Sequence, residues 1–131
     1  MLVVNEYDNT RMTKHAGTIA GQPVTVCVEC SHEPDTDTNI DEYIWTLSEK
    51  DVQAWREDEW RFETLEVNIK VTNADGWSKE ATGYLGSVAV WIGKWDLTWE
   101  DERWGQTAQD AIEQLGLTFD ANDDPFNKLT D

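Results

Sequence analysis

The chain has 131 residues and carries 27 Asp and Glu against 10 Lys and Arg, a formal net charge of −17 at pH 7. That balance excludes nonspecific attraction to nucleic-acid phosphates or anionic lipid. A 39% hydrophobic content with eight Trp excludes a disordered acidic tail, which lacks the apolar groups that offset ordering entropy. No apolar run approaches the roughly 18 residues of a membrane span and no leader-like pattern opens the chain, so one cytosolic domain with a single core is expected.

The opening stretch to about Gly21 is polar, and only a short strand around Thr18 to Ala20 is expected there. Val24, Val26 and Val28 share one face of a strand that Pro23 and Pro34 bound, and Ser31 to Asp41 reads as a loop. Cys27 and Cys30 lie three residues apart in this alternating segment. They should face opposite ways, which argues against a disulfide between them. Ser48 and Asp51 form a capping pair for a helix near Ser48 to Asp58, with Val52 and Trp55 on one face.

Leu65, Val67, Ile69 and Val71 alternate with polar residues, the pattern of a half-buried strand. Asn73-Ala74-Asp75-Gly76 is turn chemistry, so a returning strand should follow, including Tyr84 to Ile92, where Gly83 and Gly86 permit a bulge or close packing. Thr107 with Asp110 is expected to cap a second helix whose Ala108, Ala111, Ile112 and Leu115 share a face and whose end suits Gly116. Leu117 to Asp131 reads as a loop or a loosely docked tail. The fold expected is α+β, an antiparallel sheet of about four strands with two helices on one face.

Catalytic chemistry finds little support in these motifs. Asp35-Thr36-Asp37-Thr38-Asn39 opens like a calcium loop, but Ile40 stands where the sharp turn needs Gly and Thr46 where a bidentate Glu is needed. Cys27, Cys30 and His32, even with the one other histidine, His15, make a weak zinc set, because a CxxC pair without a second pair has little specificity. There is no GxSxG, HExxH, phosphate-cradling glycine loop or GxGxxG. No enzyme activity, cofactor or metal is therefore expected. Most of the tryptophans are expected in the core, with Trp95 or Trp99 in an interface, where Trp is enriched.

The carboxylate runs are the remaining signal: Glu57, Asp58 and Glu59, then Asp96 with Glu100, Asp101 and Glu102. A domain of this length is roughly 35 Å across, and that length of duplex DNA holds about 20 charges, so the charge densities are comparable. Two readings stay open. The acidity is surface solvation or salt adaptation in a structural or accessory interaction protein. Alternatively, these carboxylates, with Trp95 and Trp99, imitate phosphates and occupy the basic cleft of a protein that handles DNA or RNA. A homodimer would extend the acidic surface.

The stretch from Leu47 to Phe62 contains Asp51-x-x-Ala54-Trp55-x-x-Asp58-x-Trp60 and feeds the Leu65 to Val71 strand, Asp75-Gly76 and Gly86-Ser87-Val88. This resembles a pattern in small acidic proteins encoded by bacteriophages, over the middle third to half of the chain. The resemblance implies no catalytic residue. It does imply a context, the host cytoplasm, where such proteins are similar in kind to inhibitors of restriction, CRISPR or DNA-repair enzymes.

Overall fold

The computed structural model describes residues 10–91 and 97–126. In chain order it comprises β1 (Thr10–Ile19), β2 (Gln22–Pro34), a single 3-10 turn (Ile40–Glu42), α1 (Glu49–Arg56), β3 (Trp60–Thr72), β4 (Ser78–Trp91), α2 (Glu102–Leu115) and β5 (Leu117–Phe119). The strands form one antiparallel sheet in the order β4-β3-β2-β1-β5. The α+β class and the antiparallel sheet match expectation, with five strands in place of about four.

β5 and most of β1 are strands that hydrophobic alternation cannot report, only Thr18 and Ile19 of β1 falling in the short strand expected there. On β1 the residues facing the core include Arg11, Thr13 and His15, so no apolar pattern marks ten residues paired with β2 from Thr10↔Ser31 to Ile19↔Gln22. The β1–β2 connection is the two residues Ala20 and Gly21, both at positive φ (50° and 77°), the conformation that matches strand twist. β5 is only three residues long and pairs Leu117 with Ile19.

β2 ends at Pro34 as expected and starts one residue before Pro23. Pro23 pairs with Thr18 near the start, and the strand continues to Pro34 opposite Glu63, so Ser31 to Pro34 is sheet and the loop begins at Asp35.

The inner face of the sheet carries Val24, Val26, Val28 and Cys30 of β2 opposite Leu65, Val67, Ile69 and Val71 of β3, all buried. α2 lies over it with Trp104, Ala108, Ala111 and Leu115 buried in the same cluster. Its close approach requires Gly83: a Cβ there would come within 2.0 Å of the Thr107 carbonyl oxygen. Burial of these aliphatic and aromatic side chains, each contributing about 1.5–3 kcal/mol, is the main favourable term.

The two helices do not share a face. Trp60 and Phe62 alternate out of phase with Leu65 to Val71, and it is on them that α1 packs, with Ala54, Ile40 and the partly buried Tyr43, Leu47 and Trp91. The Trp60 indole N–H donates to the Asp51 carbonyl at 2.8 Å. Period-two alternation therefore sends α1 to the face opposite α2. The Gly86–Ser87 step is a bulge in β4, with Glu63↔Val88 and Leu65↔Leu85 on either side of it.

α1 begins as expected, Ser48 accepting the Asp51 N–H at 3.1 Å. α2 begins five residues before Thr107. Asp101 is its N-cap, and the Thr107 hydroxyl instead donates to the Arg103 carbonyl one turn back. Gly116 ends it at φ 65° as expected. Past β5, Asp120 to Phe126 folds back over the sheet, with Phe126 against the core. Among the described residues no helix is long and apolar enough to cross a membrane.

Candidate functional site

Two regions bring chemically capable side chains together. The first is acidic. Glu57, Asp58 and Glu59 link the end of α1 to the start of β3, and all three are exposed. Trp60 pairs with Trp91, so this junction sits at the sheet end from which β4 leaves. α2 starts toward that end and runs to Leu115 beside β5 and Ile19, which places exposed Glu100 and Glu102 toward the same end on the other side of the sheet. None of these five carboxylates forms an ion pair among the described residues. Glu57 accepts a Gln53 amide N–H at 3.1 Å.

Three carboxylates at the end of α1 stand where the helix dipole is negative, an arrangement that costs a few tenths of a kcal/mol each, up to about 1.

The other residues expected at this surface have different fates. Asp101 is engaged: its carboxylate caps α2 through the Arg103 N–H at 2.9 Å and takes the Arg103 guanidinium at 2.8 Å on both oxygens. That hydrogen-bonded guanidinium holds the Asp101 carboxyl below the usual Asp range. Trp99 is core rather than interface, 5% exposed and stacked on Trp104 with centroids 4.9 Å apart. Trp95 and Asp96 lie outside the described residues.

Among the described tryptophans, Trp45 reaches solvent furthest, 93% exposed beside Ile44 at 40%, and Trp77 is exposed at 47%. Tyr43-Ile44-Trp45 fits neither a helical nor a strand period, and nothing local in the sequence distinguishes Trp45 from the buried tryptophans.

The second region is on the inner face. A cavity of about 220 Å³ lies between β1–β2 and the folded-back C-terminal segment, with Val28, Cys30, Trp99, Trp104 and Phe126 as apolar walls. Arg11, Thr13, His15 and Asp123 also line it. Cys27 and Cys30 are not joined, as opposite-facing strand residues should not be.

Further along β2, beside Trp99, His32 Nδ1 and Arg61 both approach Oε1 of the fully buried Glu63, at 3.1 and 3.2 Å. A carboxylate this deeply buried is costly unless paired, and Glu63 has two basic neighbours.

The half calcium loop is used internally. Asp35 accepts the N–H groups of Asp37, Thr38 and Ser87 and the Thr38 hydroxyl. These bonds, the Ser87 N–H foremost, hold its carboxyl below the usual Asp range.

No protein-family model, curated protein or solved structure matches the chain.

Proposed function

We propose that the protein acts by binding, as a phage-type anti-defence inhibitor that offers carboxylates in place of phosphates to the basic cleft of a host protein handling DNA or RNA. The observation that carries this reading is the set of five exposed carboxylates, Glu57, Asp58, Glu59, Glu100 and Glu102, gathered toward one end of the sheet and without an ion pair among the described residues. Three of them are held at a helix terminus that disfavours them, a cost a basic partner would remove. Trp45, exposed on the loop before α1, supplies the rigid aromatic anchor that such surfaces use.

The second reading, acidity as solvation in a structural or accessory protein, draws on Glu29, Glu33, Glu66 and Glu80. These lie on the open outer face of the sheet, away from α1.

The test is affinity capture from bacterial lysate at low and high salt, with Glu57→Lys, Glu59→Lys and Glu100→Lys as the charge-reversed control. Asp101 is left intact because it caps α2. The mimic reading requires a nucleic-acid-binding protein retained at low salt, released at high salt, absent with the reversed variant, and displaced by duplex DNA or RNA. Retention that neither nucleic acid nor charge reversal affects would leave the acidity as solvation.

A further inference from the structure

β1 carries Arg11, Thr13 and His15 at two-residue intervals, so all three face the inner cavity. His15 Nε2 lies 2.7 Å from the Thr13 hydroxyl oxygen, and His15 Nδ1 lies 2.9 Å from Asp123 Oδ1. The second Asp123 oxygen accepts the Ala16 N–H at 2.7 Å, which fixes the carboxylate in place. A carboxylate at Nδ1 selects the tautomer with its proton there and leaves the Nε2 lone pair to accept from Thr13. The His15 contact, with the Ala16 N–H, also holds the Asp123 carboxyl below the ordinary Asp range, so it stays ionised wherever the imidazole is neutral.

A purely structural role would be to fasten the C-terminal segment onto β1. That is already done by the Asp120 N–H on the Ala16 carbonyl at 3.0 Å, by the Ala16 N–H on Asp123 and by β5 pairing. The Thr13 hydroxyl adds nothing to it. Nor is the acidic surface involved, since none of its carboxylates lines this cavity.

We propose that Thr13, His15 and Asp123 form a hydroxyl–imidazole–carboxylate relay that hydrolyses small carboxylic esters bound in this cavity. Thr13 Oγ attacks the ester carbonyl carbon as its proton passes to His15 Nε2. The tetrahedral intermediate collapses with cleavage of the C–O bond, and the imidazolium returns the proton to the leaving alcohol. Water, deprotonated by the same nitrogen, then cleaves the acyl-threonine and restores the hydroxyl. Arg11, two residues before Thr13 and without an ion pair among the described residues, is the cation positioned to balance the oxyanion. The volume of about 220 Å³ is below that of drug-sized sites, and walls of Val28, Trp99, Trp104 and Phe126 suit a short apolar acyl group.

The test uses the full chain with p-nitrophenyl butyrate as substrate and a fluorophosphonate as trapping reagent, the adduct being located by peptide mass mapping. The expected result is turnover above buffer, a phosphonyl adduct on Thr13, and loss of both in Thr13→Val, which keeps the β-branched shape on β1. Thr13→Ser should retain labelling. Asp123→Asn should lower both turnover and the rate of Thr13 phosphonylation by about 10²-fold or more. Thermal melts of Thr13→Val and Asp123→Asn separate loss of chemistry from loss of fold. Turnover unchanged in Thr13→Val, no turnover above buffer, or an adduct confined to Cys27, Cys30 or lysine would overturn the proposal.

Discussion

Asp35 Oδ2 lies 2.9 Å from the backbone nitrogen of Ser87, 52 residues later, and so ties the loop after β2 to the bulge in β4. Ser87 is held at φ 59°, a left-handed conformation that costs a non-glycine residue about 1–2 kcal/mol. Asp35→Ala removes the acceptor and should lower unfolding free energy by about 1–2 kcal/mol in urea titration. Ser87→Gly keeps the N–H and relieves the backbone, and should raise stability by up to about 1 kcal/mol. Equal melting behaviour in both variants would mean that the bulge is held elsewhere.

Asp101 couples helix capping to pH. Its folded pKa is depressed, so its contribution is fully present above the ordinary Asp value of 3.8 and is lost as pH falls through the depressed folded value. Asp101→Ala should cost about 1 kcal/mol at neutral pH. Denaturation of wild type and variant should converge as pH drops below 3.8. A difference that stays constant into strong acid would assign the loss to packing instead.

Glu63 is the one buried carboxylate in the core described here, 0% exposed between His32 and Arg61. Glu63→Ala removes the buried acceptor that His32 and Arg61 share, and about 3 kcal/mol of stability should be lost. Glu63→Gln keeps a carbonyl acceptor and should lose less. A urea midpoint unmoved in Glu63→Ala would show that this polar cluster is dispensable to the fold.

Trp45 separates binding from folding. At 93% exposure it contributes little to the core, so Trp45→Ala should change unfolding free energy by less than about 0.5 kcal/mol. If it anchors the partner, the same change should cost about 2 kcal/mol of affinity, read by calorimetry against the captured protein. Unaltered affinity would confine recognition to the carboxylates.

Local chemistry made much of this fold legible. The Leu65 to Val71 alternation, the Ser48 cap, the Asn73 to Gly76 turn, Gly83 as a close-packing residue and Gly116 as a helix end all act through neighbours in the chain, and all are observed. Most of β1 was not legible. Its inner face spends Arg11, Thr13 and His15 on a cavity, and a strand that lines a cavity has no apolar alternation to show. The start of α2 was misplaced because Thr107 and Asp110 have the composition of a cap, whereas Asp101 becomes the cap through its Arg103 partner.

Composition and period alone therefore determined the α+β class, the acidity, the separation of Cys27 from Cys30 and the main hairpin, since each depends on residues a few positions apart. Tertiary structure decided which face each helix covers, which tryptophans are buried, and that Asp123 meets His15 across 108 residues. Such meetings are set by how strands pair and where the chain folds back over them, and no spacing along the sequence encodes the distance between their side chains.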